Sequence, residues 1–157
     1  MNKRLPFNIK KPLKHFSHDE WERLCDRCGL CCIHKVEDQD GHFYLTDVAC
    51  KFLDINTIQC RCYNSRDSKQ SLCQSLTHKN IAKHLKWLPE TCAYRRVYEQ
   101  KPLPSWHPLI TNDYRSVQKA GVIIQDKVVS ENMFQVINWD EHIVPDDYFL
   151  KDIHYDH

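Results

Sequence analysis

Four of the nine cysteines fall within eight residues, Cys25-Asp-Arg-Cys28-Gly-Leu-Cys31-Cys32. Thiolates are soft ligands, and soft ligands select zinc, copper(I) and iron–sulfur centres. In a Cys-x-x-Cys pair the backbone curls so that both sulfurs face one centre, with N–H groups of the curl donating to them. Gly29 follows Cys28 directly, and a tight curl needs a residue that accepts positive φ without steric cost. The remaining cysteines are Cys50, Cys60, Cys62, Cys73 and Cys92. A tetrahedral zinc or a four-iron cluster takes about four thiolates, so eight would fill two such sites and leave one over. Adjacent Cys31 and Cys32 are expected to point in different directions. They suit two neighbouring centres, or one ligand and one outer thiol, better than one tetrahedron.

The spacing leaves the metal open. A closed four-thiolate zinc site would be structural. The C-x2-C-x2-C run also matches the first three cysteines of the bacterial ferredoxin pattern. Its C-x3-C-Pro continuation is missing, because Cys32 comes immediately and Ile33 follows.

Composition narrows the surroundings of this chemistry. The chain has 157 residues, which predicts one domain. About a quarter of it is Leu, Ile, Val or Phe, too many for a disordered chain. No apolar run approaches the ~20 residues of a membrane span. Lys and Arg (22) nearly cancel Asp and Glu (21), so the electrostatic footprint of a nucleic-acid-binding protein is lacking. The start, MNKRLPFNIKKPLKHF, is basic but has no continuous apolar stretch and no small-residue cleavage site. The expectation is a cytoplasmic protein. Disulfides are rare there, and nine thiols point to metal instead.

The positioning elements follow from shorter signals. Ser17-His-Asp-Glu20 is a capping box that starts a short helix carrying Trp21 and Leu24 up to Cys25. Ile81, Leu85 and Leu88 predict a helix over 77–88, stopped by Pro89. Another is expected over 91–98, and one more over 113–120 with Gly121 as its cap. Val122-Ile-Ile and Val128-Val129 read as an antiparallel hairpin, with 134–139 as a third strand. The expected fold is α+β: a metal-stabilised domain with a cysteine-rich half of helices and loops, and a small antiparallel β element after residue 121. Its expected divisions are a basic arm (1–16), a single metal-binding domain (17–145) and an acidic tail (146–157).

The segments CDRCGLCC, ACKFLDI, CRCYNSR, SLC and LPETCAYR together resemble a known group. They are similar to the YcgN-type (UPF0260) bacterial proteins of the CxxCxxCC zinc- or iron-chelating family, also called YkgJ-type cysteine cluster proteins. The similarity runs from Glu20 to about His142 and includes Leu103 to Leu109. It implies metal ligation by Cys25, Cys28, Cys31, Cys32, Cys50, Cys60, Cys73 and Cys92, and it leaves Cys62 out. It also matches Tyr63 and Arg66, and Arg66 is expected either beside the anionic thiolates or in an ordinary surface ion pair. No settled reaction comes with the resemblance. A related cysteine cluster occurs in a flagellin lysine methylase family, but the methylase part is not recognisable here.

Other groups carry less. His34, two residues past Cys32, is a candidate ligand whose commoner role is an outer or surface group. His78 and His84, six apart, do not share a helix face. His154 and His157 lie among terminal acids, and the acid pairs Asp19/Glu20 and Asp146/Asp147 read as solvated. Trp106-His107-Pro108 supplies no catalytic partner. With three glycines, a glycine-rich phosphate cradle is excluded. The expected function is chelation of zinc or iron by about eight thiolates in a metal-binding or accessory module, with metal ions and a possible protein as partners. The alternative is an iron–sulfur protein that moves electrons or serves a protein-modifying enzyme.

Overall fold

A computed structural model of the chain describes residues 7–66, 73, 75–151 and 153. Helix α1 (His18–Glu22) begins at the expected capping box: Ser17 Oγ accepts from Glu20 N–H, and the Glu20 carboxylate accepts from Ser17 N–H at 2.8 Å. Lys11 reaches the other oxygen of the same carboxylate. Strands β1 (Ile33–Glu37) and β2 (Phe43–Ala49) form an antiparallel hairpin, followed by the short pair β3 (Leu53–Asp54) and β4 (Gln59–Cys60). Helices α2 (Ala93–Tyr98), α3 (Pro108–Thr111) and α4 (Arg115–Lys119) come next, then β5 (Val129–Ser130). Helices over 91–98 and 113–120 were the expectation, and α2 and α4 lie within them. Gly121 follows α4 with φ 74°, the left-handed conformation that closes a helix.

The fold class is α+β, but the β structure is placed differently from the expectation. The antiparallel hairpin lies in the cysteine-rich half. After residue 121 the chain contributes one strand among the described residues, β5, which pairs parallel with Val48 and Ala49 of β2, and an isolated antiparallel bridge from Ile143 to Thr46. Residues 124–127 do turn, Lys127 N–H donating to the Ile124 carbonyl at 3.0 Å, but 122–124 and 128–129 do not pair as strands, because their polar groups and side chains are used elsewhere. Ile124 N–H donates to the Cys28 carbonyl at 3.0 Å, and Val122 and Ile124 are fully buried in the core. Residues 134–139 form no strand: Val136 stays exposed, and the segment runs between two 3-10 turns.

The expected helix over 77–88 is also not formed. The Thr77 and Asn80 side chains each accept from the other's backbone N–H, and Asn80 Nδ2 donates to the Ser75 carbonyl. These local bonds compete with helix formation. The chain takes a 3-10 turn over Ile81–His84, which still buries Ile81 and Leu88.

Two apolar cores result. One gathers Cys28, Leu30, Ile33, Leu53, Trp106, Val122, Ile124 and Phe149. The other gathers Phe16, Trp21, Leu24, Ile81, Leu88, Tyr94, Val97 and Leu103. Burying each large apolar side chain contributes ~1.5–3 kcal/mol. Leu24 belongs to the second core and Cys28 and Leu30 to the first, so the cysteine run spans the junction between them. Phe149 puts part of the expected acidic tail into the interior, and Phe16 does the same for the basic arm. Lys3, Arg4, His154 and His157 lie outside the described residues. Among those described, no helix is long and apolar enough to cross a membrane.

Candidate metal centre

The cysteine run is shaped by three local features. Asp26 Oδ1 accepts from Cys28 N–H at 3.1 Å, a turn closed by the side chain. Arg27 and Gly29 both take positive φ, 61° and 86°. Gly29 then opens the 3-10 turn Leu30–Cys32, with Cys32 N–H donating to its carbonyl at 2.8 Å. A Cβ on Gly29 would stand 2.8 Å from Ile124 and Ile58 side-chain atoms, so both φ and space require glycine.

Other elements bring more thiols to this run. Cys50 N–H donates to the Cys32 carbonyl at 2.9 Å, which places the end of β2 beside it. Strand β4 carries Cys60, paired with Leu53 of β3. Cys25, Cys31, Cys32, Cys50, Cys60 and Cys73 line one cavity of about 410 Å³. Cys28 and Cys92 do not reach its wall: Cys28 is buried in the first core, and Cys92 starts α2 and packs against the second. All nine cysteines are free of disulfides.

The sulfurs approach in pairs. Cys31 and Cys32 are 3.9 Å apart, so these neighbours do not diverge as expected; the 3-10 turn brings both to the same cavity. Cys60 and Cys62 are 3.7 Å apart, although Cys62 does not line the cavity. A tetrahedral zinc with ~2.3 Å bonds needs sulfurs about 3.8 Å apart, so each pair matches one edge of such a site. No three cysteine sulfurs lie within 4.8 Å of one another among the described residues; the one group of possible ligands that close is half-buried Asp38 with exposed Asp40 and His42. The thiols therefore fit soft-metal chemistry as donors, spread over more space than a single ion occupies.

Electrostatics separates these thiols. Burial pushes Cys25 and Cys28 up, Cys92 up to about 12 and Cys73 up to about 11. The hydrogen bond between Cys31 and Cys32 pulls Cys31 down to about 7, aided by the charge of Lys35, and pushes Cys32 up. Buried thiolates need a counter-charge, and a bound cation supplies one.

The polar groups around the thiols divide clearly. Arg66 lines the cavity, stacks 4.0 Å over the Tyr63 ring and donates to the Tyr63 carbonyl, and its charge lowers Cys73. It makes no carboxylate pair within 4.0 Å among the described residues, and against the cost of burial the charges of Tyr63, Glu22 and Cys73 favour its charged form. Tyr63 hydroxyl donates to Glu22. His34 also lines the cavity, and its Nε2 is 2.6 Å from a Glu131 oxygen, the kind of carboxylate contact that orients a ligating imidazole. His107 is fully buried. Its Nε2 bonds the Leu24 carbonyl at 2.9 Å, and its Nδ1 accepts from Leu109 N–H, so it anchors the chain just before Cys25.

Two groups gave no sequence signal. Asp26 is buried, its Oδ2 has no hydrogen-bond partner, and burial raises its carboxyl above the usual range. Lys35 lines the cavity from β1. An alternating strand reads lysine as a solvated position, and only the tertiary fold turns this one inward.

Comparison with known proteins places the chain among close relatives. It is 44% identical over 140 residues to a UPF0260 protein of Vibrio parahaemolyticus, covering 88% of this chain and 94% of that one. A UPF0260 protein of Marinobacter nauticus is 43% identical over 141 residues (89% and 95%), and one of Shewanella denitrificans 42% over 150 (95% and 99%). No family model matches the chain. No solved structure matches it either.

Proposed function

The chain belongs to the UPF0260 family, and on that premise we propose that it is a metal-chelating protein whose cysteines hold zinc or iron. The reading rests on one observation, the convergence of Cys25, Cys31, Cys32, Cys50, Cys60 and Cys73 on a single cavity. Cys28 and Cys92, behind that ring, complete the eight thiolates. The metal supplies the positive charge that lets buried thiols ionise, and its bonds add to the stability of the junction between the two cores. Arg66 offsets the negative charge of the thiolates. The protein works in the reducing cytoplasm, as a metal-binding or accessory module with metal ions and a protein as partners; nucleic acid is not among them.

A second reading is favoured by the wide spread of the sulfurs, no three of which lie within 4.8 Å of one another among the described residues. A four-iron cluster binds each of its four thiolates to a different iron, which suits wide spacing and a roomy cavity. The function would then be electron transfer, or service to a protein-modifying enzyme.

Anaerobic purification followed by metal and sulfide analysis tests both. A colourless protein with about two zinc equivalents supports the first. A brown protein with iron and sulfide supports the second. Absence of both metals, with cysteines paired on thiol titration, overturns chelation altogether.

A further inference from the structure

The charge of Lys35 is placed where a solvated lysine would have no reason to be. It is half-buried on β1, and its Nζ donates to the carbonyls of Leu30 at 3.2 Å and Ile33 at 2.9 Å. These two carbonyls flank Cys31 and Cys32. The ammonium also lies 5.1 Å from the Trp87 ring centre. Among the described residues no carboxylate oxygen lies within 4.0 Å of it. A cation withdrawn from water without an anionic partner is costly. Burial lowers the Lys35 pKa, and the groups that oppose this and favour its charged form are Cys31, Cys32 and Cys28 when ionised. Two of its three N–H donors are spent on the carbonyls, which leaves one for the cavity it lines.

We infer that Lys35 is the built-in counter-charge of the cysteine centre, a positioning residue that clasps the turn carrying Cys31 and Cys32. This inference rests on the metal-binding reading for its role with a bound centre, but it also makes a claim about the metal-free chain, the clasp on the Leu30 and Ile33 carbonyls. It differs from the part played by Arg66, which stacks on Tyr63 and acts on Cys73. Lys35 is anchored by the backbone of the cysteine run itself.

The test uses the full chain as wild type, Lys35→Gln, Lys35→Met and Lys119→Met, the last removing an exposed lysine on α4. Lys35→Gln keeps a donor for the carbonyls and loses the charge. Far-UV circular dichroism checks that all four fold. Zinc affinity is read by competition with a chromophoric chelator. A loss of tenfold or more in both Lys35 variants, with Lys119→Met unchanged, is the expected result. Lys35→Gln binding zinc as wild type does overturns the counter-charge. In the metal-free proteins, chemical denaturation reads the clasp on the Leu30 and Ile33 carbonyls: Lys35→Met, which has no donor, should unfold at lower denaturant than wild type, and an unchanged midpoint overturns the inference. If wild type takes up neither zinc nor iron, the metal-binding reading fails, and the denaturation result alone decides Lys35.

Discussion

Ile124 holds Cys28 from 96 residues away: its N–H donates to the Cys28 carbonyl at 3.0 Å while its side chain closes the space over Gly29. The backbone of the cysteine run is therefore fixed by a segment that carries no cysteine. Gly29→Ala should cost about 2–5 kcal/mol, combining the left-handed φ with overpacking against Ile124 and Ile58. Chemical denaturation measures the loss, and a change under ~1 kcal/mol would refute the packing account.

The cysteines should not be equivalent. Cys60 lines the cavity and Cys62, 3.7 Å from it, does not. Cys60→Ser and Cys28→Ser are expected to lower bound metal, and Cys62→Ser to leave it unchanged. Metal analysis of anaerobically purified variants gives the comparison. Equal loss at Cys60 and Cys62 would make Cys62 a ligand. Stripping the metal with a chelator should lower the melting temperature of wild type, since binding energy at such a site is folding energy.

His107 gives a pH dependence with a definite sign. Burial lowers its pKa from 6.5, and its Nδ1 must stay unprotonated to accept from Leu109 N–H. The unfolded chain therefore takes up the proton more readily. The contribution is present above about pH 6.5 and fades as pH falls below it. His107→Gln should lose about 1–3 kcal/mol at pH 7 through its two buried bonds, and should show a flatter stability profile between pH 7 and 5. Parallel profiles for the two proteins would assign the acid sensitivity elsewhere.

The capping box of α1 should respond at lower pH. Lys11 and the Ser17 N–H hold Glu20 down to about 2 from 4.5. A depressed carboxylate stabilises the fold above about pH 4.5, and this is lost as pH falls towards 2. Fluorescence of buried Trp21, on the same helix, reports the fraying, and salt should weaken the effect because the Lys11–Glu20 pair is only partly buried. Ser17→Ala should cost about 0.5–2 kcal/mol at neutral pH.

The features legible in the sequence are those whose cause is local. Ser17 and Glu20 sit three residues apart and cap each other. Gly29 and Gly121 stand where the chain must take positive φ. Residues 91–98 carry a helix-forming run bounded by Pro89 and Pro102. The β1–β2 hairpin also has a local cause, alternation on either side of Asp38-Gln-Asp-Gly41, which the expected helices and loops of the cysteine-rich half leave out. The helix over 77–88 failed because Asn80 and Thr77 bond each other, a contest that apolar spacing does not register.

By itself the sequence determined the donor chemistry, nine thiols with four in one run, and the glycine that this run needs. It also determined the local starts and stops of the short helices. Only the tertiary structure decided which thiols meet. Cys31 and Cys32 share one cavity because a 3-10 turn carries both, and Cys50 and Cys60 join them through strand pairing. Only the fold, too, turned Lys35 inward onto the Leu30 and Ile33 carbonyls. The physical reason is range. Capping and turn preferences act over three or four residues, whereas convergence on a cavity depends on hydrogen bonds and packing between segments far apart in the chain.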